Sequence, residues 1–110
     1  MLISLTGTNI QITQELRELV AERFAKVEHR LPDDIRCDVI LSQEHNPKIV
    51  EGQKAEANLY VKGGTINAKA HQHEMAAAIG RIASEVVRQL DRRSDRRRSN
   101  KKAGADTIRH

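Results

Sequence analysis

The chain reads as an α+β domain of order β-α-β-β-β-α, with two helices packed on one face of a four-stranded sheet. Three observations predict this. Two segments carry apolar residues at helical spacing, and three others alternate apolar and polar residues. Small alanines line the inward side of two of the alternating segments, where helices need to come close. At 110 residues and 38% hydrophobic content, the chain supports one modest core and one domain. Phe24 and Tyr60 are its only aromatic residues, so Leu, Ile, Val and Ala must fill that core.

Taken in order, "LISLTG" (Leu2–Gly7) is a short strand closed by a glycine turn. The pattern then becomes helical. Thr13 is a good N-cap with Glu15 in the first turn, and Leu16, Leu19, Val20, Phe24, Val27 and Leu31 form one apolar stripe. Pro32 and the pair Asp33–Asp34 stop this helix. "IRCDVILSQ" alternates, with Ile35, Cys37, Val39 and Leu41 inward. "EHNPKIVEG" is a loop broken by Asn46–Pro47 and Gly52. In "QKAEANLYVK" the inward residues are Ala55, Ala57, Leu59 and Val61. Gly63–Gly64 turns the chain back, and "TINAKAH" places Ile66, Ala68 and Ala70 inward. The second helix carries Met75, Ala78, Ile79, Ile82, Val86 and Leu90 as its stripe, with Gly80 in its middle at a cost of about 1 kcal/mol against Ala. From Asp91 onward no apolar period remains. The helix is expected to end near Arg96, leaving a folded domain over 1–96 and a basic, disordered tail over 97–110.

Charge is unevenly distributed. Residues 91–110 carry eight Lys and Arg against three Asp, a net +5, whereas residues 1–90 carry eleven against twelve, a net −1. On a domain this close to neutral, a polyanion needs basic groups sorted onto one face. Arg23, Lys26 and Arg30 recur along one flank of the first helix. Arg81, Arg88, Arg92 and Arg96 fall within about 80° of each other on the second, with Glu85 interrupting them. A single such ridge is the common way for Lys and Arg stems to cover apolar surface while their heads stay wet. Two ridges on neighbouring helices, followed by a basic tail, point instead to a polyanion. With one Tyr to stack bases on, single strands are poorly served. Phosphate and shape contacts to structured RNA suit the residues better.

Other chemistry is thin. Cys37 is single and inward, an inert thiol that permits neither an intrachain disulfide nor a cysteine zinc cluster. "HQHE" places His71, His73 and Glu74 close together, but a strand-to-helix junction points the two imidazoles apart and no third ligand is fixed by spacing. Glu74 reads as first-turn charge on the second helix. No nucleophile arrangement, phosphate loop or paired catalytic carboxylates occur, so no cofactor, small-molecule substrate or enzymatic activity is expected. The N-terminus lacks a signal-peptide pattern and no stretch approaches the length that spans a bilayer, so no membrane partner is expected and a cytoplasmic location is.

The strings "GTNIQITQELRELV", "RFAKVE", "KAEANLYVKGGTINAKA", "EMAAAI" and "RQL", in order over roughly residues 1–96, together resemble the ribosome hibernation-promoting factor family in its short form, a group that includes the related ribosome-associated translation inhibitor. The resemblance implies a fold related to the double-stranded RNA-binding domain with an added strand. It implies binding to ribosomal RNA of the small ribosomal subunit, in the channel where mRNA and tRNA lie. It also implies competition with both, reversible arrest of translation, and pairing of ribosomes into inactive dimers. Arg23, Lys26, Arg88, Arg92 and Arg96 match basic positions of that family's helices, and Lys62 and Lys69 lie in the matching region of its sheet. The chain departs from the family at Ala76, where Tyr is usual, at Gly80, where Asp is frequent, and at Glu85, where Lys is frequent; Glu85 weakens the second ridge. The alternatives are a general double-stranded RNA-binding protein and a small metal-dependent enzyme using His71, His73 and Glu74.

Overall fold

The computed structural model describes the backbone of residues 1–109 apart from Pro47 and Val50, and side chains through Ser94. Its elements run β1 (Leu2–Thr8), α1 (Gln14–Arg23), α2 (Ala25–Glu28), β2 (Arg36–Gln43), β3 (Gln53–Val61), β4 (Gly64–Gln72) and α3 (Met75–Arg109). The four strands form one sheet in the order β1-β2-β3-β4. β1 runs parallel to β2, with Leu5 beside Val39. β2–β3 and β3–β4 are antiparallel, with Val39 beside Ala57 and Ala57 beside Ala68.

This register puts Cys37, Val39, Leu41, Ala55, Ala57, Leu59, Ile66, Ala68 and Ala70 on one face, all buried. The helices close over that face. Val20, Phe24 and Val27 come from α1 and α2 and Met75, Ala78, Ile79, Ile82, Ala83 and Val86 from α3, in one continuous core with the strands. The expected alternation and both expected stripes are therefore those of the fold. Phe24, Leu41, Leu59, Ile79 and Ile82 are among its largest fully buried side chains. The hairpin between β3 and β4 turns at Gly63, whose φ of +89° is strained for any residue with a Cβ.

Local details differ from the sequence expectations. The first helix is two helices, not one. Phe24 takes φ −89° and ψ 1°, in the bridge region rather than the α-helical one. The i→i−4 bonds Phe24 N–H to Val20 O (2.9 Å) and Glu28 N–H to Phe24 O (3.0 Å) persist across this joint, so the axis bends without parting. α2 ends at Glu28 rather than at Leu31. The last turn tightens to i→i−3 bonds, Arg30 N–H to Val27 O and Leu31 N–H to Glu28 O, before Pro32. Thr13 caps α1 as expected, its Oγ1 accepting from the Leu16 N–H at 3.2 Å. Glu74 is not in the first turn of α3 but one residue before it, where its carbonyl accepts from the Ala78 N–H at 3.2 Å. The backbone of α3 stays helical through Arg109, past the expected end near Arg96. Arg97, Arg98, Lys101, Lys102, Ala103 and Ala105 are strong helix formers, so the backbone can stay helical here without an apolar period.

Ile79→Ala, which empties a site with no exposure, should cost about 2–5 kcal/mol in urea unfolding. Leu2→Ala, at a side chain left 65% exposed, should change stability by less than about 0.5 kcal/mol.

Candidate nucleic-acid interface

The core dictates where the charges stand. Packing α1 and α2 beside α3 on the sheet turns the flank of each apolar stripe toward a shared groove. Glu22 and Arg23 at the end of α1 and Lys26 in α2 form one wall of a groove whose other wall is α3 at Gly80, Ser84 and Val87; its volume is about 390 Å³. On the other side of α3, a groove of about 790 Å³ opens against β4, with Lys69, Arg81 and Arg88 around it and Asn67, Glu85 and Gln89 within it. Gly80 and Ser84 line both. Five of the nine expected cations thus gather around one stretch of α3, all exposed.

The other expected positions go elsewhere. Arg30 turns to the far end of the domain, where its Nε donates to Asp91 Oδ1 at 3.1 Å and its Nη1 to the Lys26 carbonyl. Lys62 is exposed near that end, beside the β3–β4 turn. Arg92 lies between these regions, against Thr65 and Gln89. The side chain of Arg96 is outside the described residues. Arg93, which the sequence pattern does not single out, donates through Nη2 to the Lys62 carbonyl and stands over Gly63 and Gly64, tying α3 to the hairpin.

Electrostatics rank these groups. Glu85 holds Arg88 by two bonds, Oε1 to Nη2 at 2.8 Å and Oε2 to Nε at 3.0 Å, and also accepts from Gln89 Nε2 at 3.1 Å. The hydrogen bond from Arg88 holds the Glu85 carboxyl below its ordinary range, and Glu85 in turn raises Arg88. The sign follows. A depressed carboxylate contributes its stabilisation above the ordinary glutamate value of 4.5 and loses it as pH falls through the lowered value, so at neutral pH the pair is intact. Arg88 therefore meets any anion with its carboxylate partner already in place.

Among the described residues the opposite face of the sheet is uncovered, and two of its cations, Arg36 and Lys69, are paired with carboxylates. Asp38 accepts from Tyr60 Oη and from Arg36 Nε, both at 3.2 Å. Lys69 Nζ faces Glu56 Oε1 across the β3–β4 pair at 3.4 Å. Apart from Lys69 in β4, the cations gathered around α3 come from the helices. Cys37 is fully buried and its thiol is pushed up to about 12, chiefly by burial, which leaves it unreactive at neutral pH. His71 and His73 are exposed, and among the described residues no group of three His, Cys, Asp or Glu side chains could hold a metal ion. No helix among the described residues is long and apolar enough to cross a membrane.

This geometry can be set beside known proteins. Residues 3–98 match the family described as sigma 54 modulation protein / S30EA ribosomal protein. The chain belongs to this family. It is 36% identical over 96 residues to a ribosome hibernation promoting factor of Salmonella typhimurium, covering 87% of this chain and 96% of that one. The factor of the same name from Pseudomonas putida is 32% identical over 99 residues, covering 90% and 92%. Among solved structures, the Thermus thermophilus Protein Y N-terminal domain superposes with TM-score 0.70 at 25% identity, covering 84% of this chain and 98% of that one. A ribosomal subunit interface protein from Coxiella burnetii gives 0.71 at 25% identity, covering 86% and 99%. The expected family and the expected fold are both those of the protein.

The hydrogen bond from Tyr60 to Asp38 raises the phenol above the ordinary value of 10.0, because Asp38 stabilises the protonated form. Tyr60 is the only Tyr and there is no Trp, so absorbance at 295 nm reports it alone. Its midpoint should lie above that value in the parent and fall toward it in Asp38→Asn.

Proposed function

We propose that this chain is a ribosome hibernation factor that binds the small ribosomal subunit in the mRNA and tRNA channel. There it reversibly blocks translation and promotes inactive ribosome pairs. The observation that carries this is the gathering of Arg23, Lys26, Lys69, Arg81 and Arg88 around one stretch of α3 on a domain whose first ninety residues are nearly neutral. A surface sorted in this way suits RNA phosphates, and the relatives that share the chain's family carry the name of hibernation factors.

In this mechanism the protein is stoichiometric and not an enzyme. The cations neutralise ribosomal RNA phosphates and release their counterions. The helix-covered sheet, held rigid by its core, then occupies space that mRNA and tRNA need. Residues 1–96 form the ribosome-binding unit, and 97–110 add a basic extension that strengthens or tunes ribosome pairing. Arg92, Arg96, Lys62 and Arg30 are the outer part of the surface. Arg30, already paired with Asp91, contributes least. The site of action is the cytoplasm, where idle ribosomes are.

Two outcomes test this. Binding to purified small subunits should weaken with salt by about 0.7–0.9 log units of affinity per decade for each phosphate contacted, and a plain RNA duplex should compete poorly. Sedimentation with ribosomes that is indifferent to salt would reject the phosphate account. The double variant Arg23→Ala with Lys26→Ala should lower the slope by about 2, and Glu85→Gln, which frees Arg88, should tighten binding.

A further inference from the structure

Gly80 is the sixth residue of α3, and packing gives it no reason to be glycine. Its φ is not positive. A Cβ placed there would meet nothing nearer than Arg23 Nε at 3.9 Å, an ordinary contact. Alanine would fit and would favour the helix. The helix is therefore bare at this point for no benefit to the fold.

The surroundings supply a reason. The two cationic grooves meet here, with Arg23 and Lys26 on one side and Lys69, Arg81 and Arg88 on the other; Gly80 and Ser84 belong to both. A missing side chain lets a ligand backbone come closest to the helix. At that depth guanidinium groups from both sides can reach neighbouring phosphates of one strand, and the Ser84 hydroxyl lies one turn further on. An acidic protein would bring its carboxylates on side chains that reach past an alanine, so it would not need the bare backbone.

We propose that an RNA strand crosses α3 at Gly80–Ser84, passing from the Arg23–Lys26 groove to the Lys69–Arg81–Arg88 groove, with Gly80 as its point of closest approach. This rests on the ribosomal RNA function proposed above and adds to it the path of the strand and an uncharged residue that sets affinity.

The test compares Gly80→Ala and Gly80→Leu with the parent, by thermal unfolding and by binding to purified small ribosomal subunits over a salt series. Both variants should melt at or above the parent. Gly80→Leu should bind on the order of tenfold more weakly with a salt slope lower by about 1, and Gly80→Ala should fall between. If Gly80→Leu lowers the melting temperature, Gly80→Ala decides by the same comparison. A folded variant that binds as tightly as the parent, with the same slope, overturns the crossing point and leaves the phosphate reading standing. Absence of salt-dependent binding by the parent itself overturns both.

Discussion

Everything in this protein depends on how closely its helices can approach the sheet. Ala55, Ala57, Ala68 and Ala70 leave the inner surface of β3 and β4 shallow, and all four are buried. Ile79, Ile82 and Val86 of α3 fill that space, and Val20, Phe24 and Val27 fill the rest. With almost no aromatic mass, the core gains its stability from many aliphatic contacts, each fully removed from water. The same closeness brings α3 alongside α1 and α2 and creates the grooves on either side of it.

The grooves give the charges their meaning. Lys and Arg beside an apolar stripe serve to cover its edge in most proteins. Here the edges of two stripes face one another across a gap, so groups from separate segments act on the same volume. The protein also restrains this surface. Glu85 occupies Arg88, Glu56 faces Lys69 and Asp91 faces Arg30. The cation of each pair is exposed, where ion pairs stabilise little. In the proposed RNA-binding role their effect is on how much positive field an approaching polyanion would meet.

Much of the fold was legible in the order of residues because its two periods are so distinct. Strands β2, β3 and β4 alternate cleanly, and the inward set named from the sequence is the buried set apart from Ile35 and Val61, which are half-buried. The joint at Phe24 was not legible, since the stripe passes through it unbroken and the bend lies in one pair of backbone angles. Nor was the start of α3 after Glu74 or the tightened turn before Pro32, where competing local hydrogen bonds choose the boundary. The continuation of α3 past Arg96 also escaped a reading based on apolar period, because helix propensity does not need one.

For the candidate site, the sequence by itself determined the family, the sheet-and-helix order and which residues flank the core, because spacing along a strand or helix fixes direction. Only the tertiary structure decided which cations act together. Arg30 and Asp91 lie 61 residues apart in the chain, and Arg93 reaches the Lys62 carbonyl across the hairpin. Such pairings arise from the crossing of helices and the register of strands, and no local period encodes them. The same crossing places Gly80, which the sequence marks only as a weak point in the helix and a departure from the family, in the lining of both grooves.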